Sequence, residues 1–368
     1  MLAVVLATAA CTSSGGQAGE ASDEPALGAG SEVAAGAAPS GGSEGGSGAP
    51  AGALLEEIRS RGNLLCGVNE AVPGFGLQNQ EGEFEGFDID ICKAIAAAIL
   101  GDAEAVDFRP LSAEQRFTAL QSGEIDVLSR NTTWTASRDG TEGVDFVTTT
   151  FYDGQGIMVK ADSEFQTIED FEGSPICVLS GTTTEQNLAT RFADIEYEPV
   201  PSDDVEVLLQ SFQEDRCDAY TSDRSQLAGL RSSLPDGPDS VRILDEVFSK
   251  EPLGPAVREG EADLFDAVNW TVLTLIAAEE FEVTSDNVED MTSSEDPAIL
   301  AFLGQAGGEE GAVLDPGLGL EPDFAVDVIS AVGNYAEVYE RNISPLEIPR
   351  ELNSLYTDGG LLYAPPYR

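Results

Sequence analysis

The sequence predicts an α/β protein of two lobes joined by a pair of connecting strands, and three observations lead there. From Leu54 onward, short apolar runs of strand length alternate with amphipathic helical stretches, the order of an α/β sheet. The same strand and helix order starts again near Ile176 and repeats loosely. With 368 residues, the chain has room for two lobes of ordinary domain size and an unstructured tail.

Residues 64–68 read as the first strand. A helix is expected over 88–100, because Ile91, Ala94, Ile95, Ala98 and Ile99 share one face and Gly101 supplies a stop. Residues 106–110 form the next strand, and Ser112 with Gln115 makes a capping box for a helix through Phe117 and Leu120 to Gly123. The strand at 125–128 delivers the loop from Arg130 to Arg138. In the second half, 176–179 reads as a strand. Thr182 with Glu185 then opens a helix through Leu188 and Phe192. A helix at 202–213, a strand at 218–221 and a helix at 224–234 follow. The connecting strands are expected near 156–160 and 247–254. Long helices at 262–281 and 323–341 should pack back on the first lobe. The resulting division gives 54–157 with 250–368 to lobe 1, and 158–249 to lobe 2.

Ahead of the lobes, residues 12–53 are Gly, Ser, Ala, Glu and Pro with almost no large apolar side chain, the composition of a flexible tether. Residues 1–11 are apolar with small residues just before Cys11, like the end of a bacterial lipoprotein signal that would leave Cys11 diacylated. Thr8 stands where Leu is usual in such a signal, and the first basic residue of all is Arg59. No other stretch approaches the roughly 20 apolar residues of a membrane span, so anchoring would be through lipid alone, outside the cytoplasm.

The charge balance excludes several functions. Against 67 Asp plus Glu stand 18 Lys plus Arg, a net charge of -49, which repels nucleic acid and anionic lipid. The chain has no histidine, so it holds no Ser-His-Asp or Cys-His nucleophile and no HExxH zinc site. Cys66, Cys92, Cys177 and Cys217 match no zinc-ribbon or CxxC spacing, and no metal or cofactor is expected. In an exported protein, bridges Cys66 to Cys92 and Cys177 to Cys217 are natural. Buried free thiols are the alternative.

One segment speaks to chemistry more than the rest. From Asp126 to Asp139 the chain reads DVLSRNTTWTASRD, a strand end followed by hydroxyls, amides and then Arg138, whose planar fork can grip a carboxylate in two places. Ser180 to Glu185 supplies a second set of donors at a helix start, and Asp218 and Asp223 follow the next strand. A cation, an anion and two donor loops suit a zwitterion, whose two poles must both be neutralised once water is removed. Each group has a plainer reading: Arg138 as a surface arginine paired with Asp139 or Asp145, Thr182 and Asp223 as helix caps.

Several segments resemble the general L-amino-acid-binding proteins, within the family 3 solute-binding proteins of ABC transporters. They are Cys66-Gly67-Val68, Gly86-Phe87-Asp88-Ile89-Asp90-Ile91-Cys92, Arg130-Asn131-Thr132-Thr133-Trp134-Thr135, Tyr152-Asp153-Gly154-Gln155-Gly156, Ser249-Lys250-Glu251-Pro252-Leu253-Gly254-Pro255 and Gly333-Asn334-Tyr335. The resemblance covers nearly everything from Leu54 to the C terminus. It implies a type II periplasmic-binding-protein fold, two α/β lobes joined by two hinge strands with the ligand in the cleft. Arg138 would take the ligand carboxylate, assisted by Thr133 and by Thr182, Thr183 and Thr184. Asp223 and Asn131 would hold the ammonium. Asn69 and Val72 stand where many relatives carry an acid and an aromatic, and with Phe75 as an apolar wall they form the expected side-chain pocket. The implied partners are L-amino acids and a membrane permease, with the protein a monomer. The competing implication is a dehydratase of prephenate-like acids on the same fold, with Glu70 or Asp223 as general acid.

Overall fold

The computed structural model describes residues 53–305 and 317–367. Cys11 and the tether expected up to residue 53 lie, but for Ala53 itself, outside the described residues. Among the described residues, no helix is long and apolar enough to cross a membrane.

Two five-stranded sheets form the lobes. In the first, the order across the sheet is Val106–Pro110, Leu64–Val68, Val127–Leu128, Ala256–Arg258 and Val144–Phe146. The first three strands run parallel, as crossover helices require. Ala256–Arg258 enters antiparallel from far along the chain and fills the place between Val127–Leu128 and Val144–Phe146. In the second sheet the order is Glu198–Ser202, Pro175–Leu179, Ala219–Asp223, Gln155–Lys160 and Val241–Ile243. Between the sheets the chain crosses twice, through Phe151–Asp153 and Glu251–Leu253, which pair antiparallel as a two-stranded hinge.

The helix Phe87–Leu100 is apolar on nearly every side because other elements cover it on nearly every side. It packs against Ala262–Glu280 and Phe324–Val332, and its end is set by Gly101 at φ 68°, a left-handed cap that lacks a β-carbon to clash. Each lobe carries one disulfide. Cys66–Cys92 ties the first strand to this helix, and Cys177–Cys217 ties strand Pro175–Leu179 to the turn before Ala219–Asp223, with Cα separations of 6.2 and 5.6 Å.

Three expectations need correction. The strand Gln155–Lys160 lies wholly in the second sheet, so residues 155–157 go with the second lobe, and the crossing falls at the Phe151–Asp153 and Glu251–Leu253 pair. The helix expected over 202–213 is Val205–Gln213, capped by Asp204, whose carboxylate accepts from Glu206 and Val207 N–H. Ser202 instead ends strand Glu198–Ser202, whose Pro199 and Pro201 are tolerated because the strand is an edge. The helix expected over 323–341 is two helices, Phe324–Val332 and Tyr335–Asn342. Asn334 breaks it: its side chain accepts from Glu337 N–H at 3.0 Å while the Glu337 carboxylate accepts from Asn334 N–H at 2.9 Å, a reciprocal capping box. The last described segment returns to the hinge, where Asn353 bonds both the N–H and the C=O of Tyr152 at 2.7 and 3.1 Å.

Candidate functional site

The carboxyl ends of strands from both sheets face one another, and a small cavity of about 20 Å³ lies between them. Asn69 follows Leu64–Val68, Arg130 and Asn131 follow Val127–Leu128, Thr182 to Thr184 follow Pro175–Leu179, and Ser222 and Asp223 end Ala219–Asp223. This is where α/β sheets place ligands, because strand ends and helix starts there leave backbone groups free.

Arg138 is buried on the first-lobe side. Its helix starts at Thr135, whose hydroxyl accepts from Arg138 N–H at 3.2 Å, and one guanidinium nitrogen donates to the Thr133 carbonyl at 2.9 Å. The guanidinium carbon stands 5.4 Å from the centre of the Phe117 ring. Burial lowers its pKa, and the Glu251 and Asp223 carboxylates oppose that shift. Asp223 lies on the second-lobe side. Its Oδ2 accepts from Asn131 Nδ2 at 3.4 Å, while its Oδ1 is buried with no partner among the described residues. Burial first, then Asp153 and Glu251, push its pKa well above the usual carboxylate range.

Asn131 holds the two lobes together. Its backbone sits at φ 29°, its N–H donates to the Asp88 carboxylate at 2.6 Å, and its side chain reaches Gln226 Oε1 at 3.3 Å and accepts from Asn69 Nδ2. Burial raises Asp88 to about 7 against that stabilising bond. Thr133 Oγ1 meets Thr183 Oγ1 at 3.2 Å, and Arg116 donates to the Gly181 carbonyl at 3.1 Å, so three further contacts besides Asn131 to Asp223 cross the cleft and the lobes are closed on each other.

Not every expected residue does the same work. The Thr182 hydroxyl is a helix cap, accepting from Glu185 N–H at 3.1 Å and donating to Leu179 O at 2.6 Å. What helix Thr183–Arg191 offers the cavity is the N–H groups of Thr183 and Thr184, which have no intrahelical acceptor. Asn69 and Val72 line the cavity, but Phe75 does not. Phe75 is 1% exposed and packs between Phe87 and Phe151, with ring centroids 6.0 and 5.2 Å away, so it belongs to the first-lobe core, and the apolar lining comes from Val72, Leu179 and Val205. Trp134 is 41% exposed and stacks on Phe146.

Sequence reading missed Arg116, Arg130 and Gln226, all of which line the cavity. Arg130 donates through Nε to Leu111 O at 2.7 Å, and burial holds its pKa down to about 10. Arg116 is lowered further, by burial and by the nearby Arg138 and Arg130, and its Nε has no partner among the described residues. Gln226 Nε2 is unpartnered in the same way. Three guanidinium groups and Asp223 line this cavity, with Asp88, Asp153 and Glu251 close behind them.

Two α/β lobes closing on a polar cavity, with opposite charges on opposite walls, define a hinged clamp for a small solute. The chain belongs to the bacterial extracellular solute-binding proteins, family 3, whose sequence profile matches residues 64–287. It is 47% identical to the general L-amino acid-binding periplasmic protein AapJ of Rhizobium johnstonii over 88% of this chain and 95% of that one. It is 45% identical to the glutamate/glutamine/aspartate/asparagine-binding protein BztA of Rhodobacter capsulatus, over 87% and 95% of the two chains. Among solved structures, an ABC transporter periplasmic binding protein from Brucella ovis with glutathione bound superposes with a TM-score of 0.80 at 46% identity, covering 85% of this chain and 99% of that one.

Proposed function

We propose that this protein captures L-amino acids outside the cytoplasm and delivers them to the permease of an ABC transporter, without chemistry of its own. The observation that carries the reading is the pairing of Arg138 with Asp223 on opposite walls of one closed cavity, the latter with an unpartnered oxygen. Arg138, with the Thr183 and Thr184 amides at a helix N-terminus, suits the α-carboxylate. Asp223 and Asn131 suit the ammonium. Because the two sets sit on different lobes, a solute that touches both favours the closed state, and closure is what a permease can read. Unpartnered donors on Arg116 and Gln226 favour a solute with a second carboxylate or an amide, in keeping with the solutes named for the Rhodobacter relative and with the glutathione of the Brucella structure.

Titration calorimetry with L-glutamate, L-glutamine, L-leucine and L-arginine tests this directly. Binding is expected for the first two at least, and no heat with any common L-amino acid in folded, solute-free protein would refute it. A raised Asp223 pKa is also what a general acid needs, so arogenate and prephenate should be incubated with the protein; formation of an aromatic product would establish the dehydratase reading instead. Attachment through a lipid on Cys11 and a monomeric state complete the proposal. The apolar run before Cys11 and the mutual repulsion of acidic surfaces support them, and Cys11→Ser with metabolic fatty-acid labelling tests the first.

A further inference from the structure

We propose that Glu251, a hinge residue outside the cavity wall, is a positioning residue that fixes the direction of the Thr183 hydroxyl proton and thereby ties hinge geometry to the bound solute. The inference rests on the clamp reading. Glu251 is 1% exposed and opens hinge strand Glu251–Leu253, directly opposite Asp153. Its Oε2 accepts from Thr183 Oγ1 at 2.7 Å, and its Oε1 accepts from Asn187 Nδ2 at 2.7 Å and from Ser249 Oγ.

A carboxylate has no proton to give, so the hydrogen in the Thr183 contact must come from the threonine. The Thr183 oxygen then presents only lone pairs to the cleft. Thr133 Oγ1, 3.2 Å away on the other lobe, must be the donor in their contact. The result is an oriented chain from first lobe to second lobe to hinge, in which Thr133 donates to Thr183 and Thr183 donates to Glu251. Neither hydroxyl proton is left for an anion. The solute carboxylate is left to Arg138 and the helix amides, and an ammonium hydrogen can replace Thr133 as the donor to Thr183.

The same hinge strand also holds the first-lobe loop. Trp134 N–H donates to Pro252 O at 2.8 Å, and Gly254 N–H donates to Thr132 O at 3.1 Å. On the second-lobe side Glu251 grips helix Thr183–Arg191 at two positions one turn apart, Thr183 and Asn187. Glu251 and Pro252 of this strand, with Gly254 just after it, thus carry both walls of the carboxylate pocket. A change of charge at Glu251 should be felt by the solute through Thr183, although Glu251 does not touch the cavity.

A double-mutant cycle between Glu251→Gln and Thr183→Val tests this, with the affinity for L-glutamate or L-glutamine, whichever wild type binds more tightly, as the readout. Glutamine keeps the shape but can place an N–H donor against Thr183. We expect Glu251→Gln to weaken binding about tenfold in the wild-type background and less than twofold in Thr183→Val. Equal losses in both backgrounds, or no loss in either, would overturn the proposal, since Glu251 would then act on the fold at large or not at all. Failure of the clamp reading is separable, because it shows as absent binding by wild type. The same cycle on urea midpoints of solute-free protein reads the Thr183 to Glu251 bond itself, and additive shifts there would also overturn the proposal.

Discussion

Gly229 on the second lobe stands against the Pro73 carbonyl of the first so closely that a β-carbon built on it would lie 2.3 Å from that oxygen. Gly229 belongs to helix Arg224–Ser232, where alanine would ordinarily be the better helix former. Here the added methyl meets backbone, which cannot swing aside. Gly229→Ala should hold the lobes slightly apart and weaken solute binding by about 1–3 kcal/mol, the usual scale of overpacking. Calorimetry with small-angle scattering of the loaded protein checks it: a larger radius of gyration should accompany the lost affinity, and unchanged values of both would show that the lobes do not meet there in solution.

Arg138→Ala should lower amino-acid affinity by about 2–5 kcal/mol, because the solute carboxylate would be buried with its main partner gone. Arg138→Lys should recover only part of this, since an ammonium cannot make two parallel bonds. Titration of both variants against one solute decides the matter, and full recovery by lysine would argue against a forked contact.

Acidity should act on stability and binding in opposite senses. Burial raises Asp88 to about 7 and Asp153 to about 6 from 3.8, and raises Asp223 as well. Between 3.8 and those values the folded protein holds protons that the unfolded chain has lost, so the stability of the solute-free protein should fall as pH rises from about 4 to about 7. An ammonium beside Asp223 favours its carboxylate form and so expels a proton. Affinity should therefore rise with pH over the range in which Asp223 titrates. Calorimetry in two buffers of different ionisation enthalpy should register proton release, and proton uptake would contradict the assigned role of Asp223.

Each disulfide stays within one lobe, so removing either should soften a lobe without impeding closure. For spans of 26 and 40 residues, loop-closure entropy gives about 3.5 and about 4 kcal/mol. Paired Cys→Ala variants at 66 and 92, or at 177 and 217, should lose stability of that order in urea while keeping solute affinity near wild type at low denaturant.

The alternation of strands and helices was legible because amphipathic periods are local, and the Thr182 cap and the place of Arg138 and Asp223 on the cavity wall were legible because each follows a strand or opens a helix. Arg116 was missed for a physical reason. It begins the helix Arg116–Ser122, whose sequence signal is the apolar face of Phe117 and Leu120, and only closure against Gly181 turns its guanidinium from a surface group into a cavity wall. Glu251 was hidden in the same way, since its partners Thr183 and Asn187 are 68 and 64 residues away in sequence. Phe75 was misplaced because an aromatic near the first strand fits a core and a pocket equally well, and only the neighbouring Phe87 and Phe151 rings decide between them. The break at Gly333 was readable, because Asn334 and Glu337 have capping-box spacing, yet the apolar period on either side outweighed it.

The position of Ala256–Arg258 between Val127–Leu128 and Val144–Phe146 constrains the order of assembly during export. The second lobe's strands form an uninterrupted stretch from Gln155 to Ile243 and can assemble as soon as they emerge, whereas the first lobe must wait with a vacant slot until residue 258 arrives. A chain halted between 244 and 255 would carry one finished lobe beside two bare strand edges, a template for mispairing with its neighbours.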